Sequence, residues 1–430
     1  MLNLYGFQQQ ALSDTSDRNR VAYYLDMGLG KTFVGSEKMH QLGAKVNLVI
    51  CQKSKIDDWV NHFKEQYTFN AWNLSNKKEM NCFYDDVDYV MKYGGMVVGI
   101  INYELAFRRP ELLKLTEFTL MLDESSLIQN ESAKRTKFIM KMKPANVILL
   151  SGTPVSGKYE RLISQIHLLG WNIAKNTFWN QYVNYHYDDN EGFPLLIVDG
   201  YKNTDRLIRK MHEHGCVFMK TDEVFELPEQ IWNDVKIPTT KEYKNFRKSG
   251  IVTVGDDELV GDCTLTKMLY ERMLCGHYNQ NKISTFRDLL ESTSNRVIVF
   301  YNFDAELREI ENVCLELDRP TSIVNGHERD LYCYEQYDDA VVIVQYQAGS
   351  MGLNLQASNR IVYFTPPLSC ELYAQSKKRI HRIGQQQTCF YYRLICESSI
   401  EKRIYNSLER GIDYTDKLFE KDVDYNEADE

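Results

Sequence analysis

Ten short apolar runs of strand length, separated by stretches of helical periodicity, recur along this chain of 430 residues. The first half carries "VAYYL", "VNLVIC", "GMVVGII", "FTLMLD" and "NVILLSG", and the second "RVIVFYNF", "TSIVNG", "AVVIVQY", "RIVYFT" and "CFYYRLI". Strands that alternate with helices form parallel sheets, because a parallel pair needs a crossover long enough to hold a helix. The helices cover both faces, so the strands read as unbroken apolar runs. The length exceeds the usual span of one hydrophobic core. An α/β chain of two similar lobes is therefore expected, 1–226 and 227–411, joined near "FELPEQIWNDVKIPTTKEY", where prolines and polar residues interrupt the pattern. Residues 239–285 are expected to hold a small hairpin around Gly255-Asp256-Asp257 and a helix over "LTKMLYERMLCGH".

The stretch "YLDMGLGKT", residues 24 to 32, follows the first of these strands. It matches the end of the phosphate-loop pattern G-x-x-x-x-G-K-[ST], with Leu25 where the first glycine would stand. Gly28, Leu29 and Gly30 let backbone N–H groups turn inward around an anion. Lys31 can reach β- and γ-phosphates, and Thr32 offers a hydroxyl to Mg²⁺ while opening the helix "KTFVGSEKMHQLG", whose positive end faces the phosphates.

Ligands of parallel α/β sheets gather at the carboxyl ends of strands. Asp123 and Glu124 close "FTLMLD" in that position. The expected roles are Mg²⁺ binding for Asp123 and activation of the attacking water for Glu124. The next strand ends in "SGTP", where the hydroxyls of Ser151 and Thr153 can bridge from the nucleotide to a polymer track. In the second half, "AQSKKRIHRIGQ" offers Gln375, Arg379 and Arg382, the arginines being three apart and so on one face of a helix, as cations for the transferred phosphoryl group.

A net charge of −9 argues against a nucleic-acid partner only if it is evenly spread. It is not, because the stretch 412–430 holds eight acids against two lysines and is expected to be a solvated tail. Basic residues bunch in "SAKRTKFIMKMK" and "SKKRIHR", which permits local anion grooves. Ten cysteines without a C-x-x-C pair are expected to be reduced and buried. His212, His214 and Cys216 sit close together in "MHEHGC", but zinc of the finger type wants a second ligand pair elsewhere, and an exposed helix end is the expectation there. No apolar run reaches the length needed to cross a bilayer, so the expectation is an intracellular chain with no membrane partner.

The motifs together resemble a superfamily 2 helicase or translocase, most similar to the Swi/Snf-type branch of DNA-dependent ATPases. They run in order: "LYGFQQQAL" with Gln8 at the adenine position, "DMGLGKT", "LVICQKSKIDDWVNHF", "LDESSLIQN", "LSGTPVSG", "VIVFYNF", "AGSMGLNLQASNRIVYF" and "QSKKRIHRIGQ". The resemblance implies two RecA-like lobes with ATP and Mg²⁺ between them, Gly352 and Asn354 on the nucleotide, Arg379 and Arg382 as arginine fingers, and DNA along both lobes. Backbone tracking falls to Lys53, Lys143 and the amides around Ser151 and Gly349, with few aromatic platforms in the motifs apart from Trp59 and Tyr103, which are equally expected as core packing. Two departures stand out: "DESS" where D-E-A-H is usual, so that Ser126 replaces a histidine, and Gln52 in place of a proline. The short middle segment implies a compact motor resembling the small members of bacteria and their viruses, working as a monomer in the bacterial or infected-host cytoplasm, possible partners being other replication, recombination or repair proteins. The competing readings are a nucleotide-switched binding module with negligible hydrolysis, which the intact Glu124 and Arg382 disfavour, and an RNA helicase, which the "GLNL" and "HRIGQ" wording disfavours.

Overall fold

The computed structural model describes residues 3–67, 69–152, 154–155, 157–188, 195–349, 353, 355–415 and 418–419. It divides into two compact units, Met1–Phe225 and Glu226–Glu430. Each is built on one wholly parallel sheet, as the alternating pattern requires.

In the first unit the strands are β1 (Arg20–Leu25), β2 (Val46–Cys51), β3 (Asn70–Asn73), β4 (Val97–Asn102), β5 (Thr119–Asp123), β6 (Asn146–Ser151), a separate antiparallel hairpin of β7 (Val183–Asp188) and β8 (Leu195–Tyr201), and β9 (Cys216–Met219). The seven-stranded sheet runs β3-β4-β2-β5-β6-β1-β9. Its central strands β2 and β4 are buried along their whole length, which is what helices on both faces impose. The order brings the carboxyl ends of β2, β5, β6 and β1 side by side, and those ends carry four of the sequence motifs.

The second unit contains β10 (Gln230–Ile237), the hairpin β11 (Ile251–Val254) and β12 (Asp257–Val260), then β13 (Val297–Tyr301), β14 (Thr321–Val324), β15 (Val341–Gln345), β16 (Arg360–Tyr363) and β17 (Cys389–Cys396). Its six-stranded sheet runs β10-β17-β16-β13-β15-β14. The β11–β12 hairpin turns at Gly255, whose φ of +61° is open to glycine at little cost, and the helix Thr264–Cys275 follows it as the sequence suggests. A buried ion pair between Lys282 Nζ and Glu401 Oε1, 2.5 Å apart, sits inside this unit. The ammonium also donates to the carbonyls of Phe364 and Leu394, so the charge is compensated in full view of the apolar core.

Several features depart from the sequence expectations. Pro228 and Pro238 do not interrupt the pattern but bracket an edge strand, β10, which pairs with β17 and alternates in exposure along its length. The "MHEHGC" stretch is not wholly a helix end: Cys216 starts β9 and is buried, while His214 stacks on Trp171 with ring centroids 5.4 Å apart. The stretch from 412 is not wholly a solvated tail, since Tyr414 and Phe419 are each 2% exposed and belong to the second core, with the Arg403 guanidinium 5.7 Å from the Phe419 ring. Neither the β7–β8 hairpin nor the edge strand β3 had a counterpart in the sequence expectations. Among the described residues no helix is long and apolar enough to cross a membrane.

Candidate active site

The loop after β1 is shaped as its sequence demands. Gly28 has φ +93° and Gly30 φ +72°, and Gly30 caps the helix Lys31–Leu42 with no side-chain acceptor on its first N–H groups. A helix N-terminus without a side-chain cap, beside two left-handed glycines, is suited to an anion. Leu25, at the position of the missing glycine, is a fully buried core residue at the end of β1, so the turn is made without it. Leu29 is fully buried too, so only its backbone is available to a ligand, and its carbonyl already accepts from Gln8 Nε2 at 3.0 Å. Gln8 thereby ties the helix Gly6–Ser13 to the phosphate loop, and its Oε1 accepts from the Tyr5 N–H at 3.0 Å. Asp26 anchors the other side of the loop by accepting from the N–H and hydroxyl of Thr221, at 3.2 and 3.3 Å.

Lys31 bends back over the loop, where Nζ donates to the Leu25 carbonyl at 2.9 Å and the Asp26 carbonyl at 3.4 Å. Thr32 follows it in the first turn of the helix and is partly exposed. Across the carboxyl edge, Asp123 and Glu124 close β5, both partly exposed. Burial holds both carboxyls above their ordinary range, and the Lys31 ammonium works against that shift in both. Glu124 adopts a left-handed backbone, φ +59° and ψ +62°, a conformation that costs roughly 1–2 kcal/mol in an ordinary L-residue. Its Oε1 accepts from Ser151 Oγ at 2.5 Å and from Ser126 Oγ at 2.8 Å. A nucleotide-bound cation fits this donor set: two carboxylates at the strand end and a threonine hydroxyl in the first turn of the helix Lys31–Leu42.

Of the two readings of Trp59 and Tyr103, platform or core packing, the structure favours packing. Trp59 is 2% exposed, and its indole N–H donates to Asp123 Oδ2 at 2.8 Å. Tyr103 is fully buried and its hydroxyl donates to the Asp123 carbonyl at 3.0 Å. Neither presents a ring for a base to stack on; both brace the strand end that carries the carboxylates. Trp59→Phe keeps most of the packing and removes the donor, so Mg²⁺-dependent nucleotide affinity should weaken about 10-fold, the usual effect of losing a ligand's supporting hydrogen bond. A Mg²⁺ titration of nucleotide binding checks this, and an unchanged midpoint would reduce the bond to packing.

The candidate track residues separate. Lys53 is exposed in a short turn just after β2, on the edge shared with the phosphate loop. Ser151 ends β6 on the same edge, but it is fully buried and engaged with Glu124. Lys143 precedes β6 and so stands at the opposite, amino edge of a parallel sheet, which removes it from the motif cluster. Thr153 lies outside the described residues.

In the second unit Gly349 closes a short helix, Tyr346–Gly349, directly after β15, while Gly352 and Asn354 lie outside the described residues. The helix Cys370–Lys377 ends before the arginines, so Arg379 and Arg382 stand in successive turns and not on one helical face. Gln375, within that helix, donates from Nε2 to Glu371 at 3.2 Å. Arg379 is 1% exposed; its Nη1 donates to the Leu353 carbonyl at 3.4 Å, and its Nε and Nη2 meet no acceptor among the described residues. Burial first, and then neighbouring Arg382, pull its pKa down to about 10. Arg382 is more open and likewise has an Nε without an acceptor among the described residues. Among the described residues neither guanidinium has a carboxylate partner, so both keep donors that an anion could meet.

The SNF2-related domain family matches residues 24–277, more than half of the sequence. The chain belongs to the SNF2-related family. The helicase conserved C-terminal domain matches residues 281–384 in addition, so the two parallel-sheet units are the two RecA-like lobes of a Swi/Snf-type superfamily 2 protein. Among similar proteins, a SWI/SNF-related matrix-associated actin-dependent regulator of chromatin subfamily A-like protein 1 homolog of Caenorhabditis elegans is 21% identical over 95% of this chain and 61% of its own length. The ISWI chromatin-remodeling complex ATPase ISW2 of Saccharomyces cerevisiae is 23% identical over 88% of this chain and 37% of its own. The probable global transactivator of Orgyia pseudotsugata multicapsid polyhedrosis virus is 21% identical over 92% of this chain and 86% of its own. This SNF2-related chain thus spans under two thirds of the first two relatives and most of the third. The SWI2/SNF2 ATPase core of Sulfolobus solfataricus in complex with dsDNA covers 97% of this chain at 18% identity, with a TM-score of 0.45.

One residue beside the site was not singled out from the sequence. Gln165, on the helix Ile163–Leu168, is fully buried and accepts from Tyr24 OH at 3.0 Å and Ser125 Oγ at 2.8 Å while donating to the Pro154 carbonyl at 2.8 Å. A buried glutamine inside an apolar helix is the one hint that was available.

Proposed function

We propose that this chain is a DNA-dependent ATPase that moves along duplex or branched DNA by hydrolysing ATP. The observation that carries the reading is the clustering of the phosphate loop, Asp123, Glu124 and the end of β6 along one edge of the first sheet, on the adjacent strands β1, β6 and β5. Mg²⁺ held through Thr32 and Asp123 would supply charge neutralisation on the phosphates. Lys31 leaves the Leu25 carbonyl to meet the β/γ-phosphates, the backbone N–H groups of the loop cradle them, and Gln8 selects the base end of the nucleotide. Glu124 orients the attacking water and takes its proton. Arg382 stabilises charge on the transferred phosphoryl group, a task to which Arg379 and Gln375 of the same motif contribute. Family membership supports the same reading, and the yeast relative is itself named as an ATPase.

The track is held by its phosphates, without sequence preference. Lys53 is the residue best placed for that role in the first lobe, being exposed on the edge where the nucleotide motifs meet. Lys53→Ala should weaken DNA-stimulated ATPase and lower the slope of log affinity against log salt by about 1, the share of one phosphate contact. Lys143→Ala, at the far edge, should leave both unchanged. Equal effects from the two lysines would refute the assignment of the track to the carboxyl edge. Whether the strands part during movement is a separate property, read by a displaced labelled strand on forked DNA.

A further inference from the structure

Motif II departs from its family's usual D-E-A-H at two adjacent positions, and the structure gives both serines a partner. Ser126 Oγ donates to Glu124 Oε1 at 2.8 Å, and Ser151 Oγ, from the end of β6, donates to the same oxygen at 2.5 Å. Ser125 Oγ donates to Gln165, whose amide nitrogen reaches the Pro154 carbonyl. Ser125, Ser126, Ser151 and Gln165 are all at most 2% exposed. Motif II is thus joined to motif III twice, once through the glutamate carboxylate and once through the glutamine amide.

A carboxylate oxygen has two lone-pair sites, and two hydroxyls fill those of Oε1. The proton of an attacking water must then go to Oε2. We propose that Ser126 is a positioning residue for the hydrolytic glutamate: by sharing Oε1 with Ser151 it fixes which oxygen faces the water and makes that orientation depend on motif III. This rests on the reading of Glu124 as the base. The serine takes the place of the family's histidine by a different route, since its short side chain cannot reach beyond its own turn and instead grips the residue two positions before it. The Ser125–Gln165–Pro154 chain holds the backbone of both motifs in register behind the grip.

The test uses the full chain with duplex DNA, and measures kcat, KM and the affinity for a fluorescent ATP analogue in S126A, S126C, S126T, S151A and S126A/S151A, with E124Q as control. S126A should lower kcat about 10-fold, the scale on which supporting hydrogen bonds act, and leave analogue affinity unchanged. S126T keeps the hydroxyl and should recover most of the rate, whereas S126C, close in volume but a weak donor, should resemble S126A with an unchanged melting temperature. The double variant should lose less than the product of the single losses, because both hydroxyls act on one oxygen. Wild-type kcat in both S126A and S126C, a loss confined to affinity, or independent effects of the two serines would overturn the proposal. Hydrolysis surviving in E124Q would instead overturn the assignment of the base, which separates the two failures.

Discussion

Lys31→Ala is expected to abolish ATP turnover, with a loss of about 10²–10³-fold or more in kcat, while the protein stays folded. Its ammonium is held by two carbonyls of its own loop and is partly exposed, so truncation leaves no buried charge stranded. What disappears is the cation that meets the β/γ-phosphates, together with the charge that now opposes the desolvation of Asp123 and Glu124. ATPase assay beside thermal unfolding separates these consequences. Wild-type turnover in the variant would remove the phosphate loop from the account.

Arg382→Ala should lower kcat about 10³-fold, the usual worth of an arginine that stabilises the transferred phosphoryl group. Nucleotide and DNA affinities should change far less. The expectation differs for Arg379, which is almost fully buried, so that Arg379→Ala should act on folding as well as on rate. Single-turnover hydrolysis together with DNA-binding isotherms distinguishes the roles. If Arg382→Ala weakened only DNA binding, the residue would belong to the track.

What the sequence made legible was local. The phosphate loop, the paired carboxylates after β5 and the ten apolar strands each carry their signal within a few residues, because a strand covered by helices must be largely apolar and an anion cradle must contain glycine. What failed depended on partners distant in sequence. Trp59 and Tyr103 look the same on paper whether they stack on a base or brace Asp123, 64 and 20 positions away, the one at its carboxylate and the other at its backbone carbonyl. β10 was hidden because an edge strand alternates polar and apolar residues, and its flanking prolines resemble a linker. Tyr414 and Phe419 were outweighed by the acids around them, although two large aromatic residues are themselves reason to expect burial. Lys143 is a different kind of error: the residue before a parallel strand lies at the amino edge, and that inference was open from the strand order alone.

The same logic explains the uneven clarity of the two lobes. In the first, four motifs meet on neighbouring strands, and each can be given a bond length and a partner. In the second, the arginines lie in turns after the helix Cys370–Lys377, where periodicity gives no guide to direction.

Hydrolysis that answers to DNA is read by steady-state ATPase with no nucleic acid, single-stranded DNA, duplex DNA, forked DNA and RNA in parallel, at about 50 and about 200 mM salt. The account predicts the largest stimulation by duplex or forked DNA, falling steeply with salt as released counterions lose their entropic advantage. RNA as the best activator, or stimulation indifferent to salt, would contradict it.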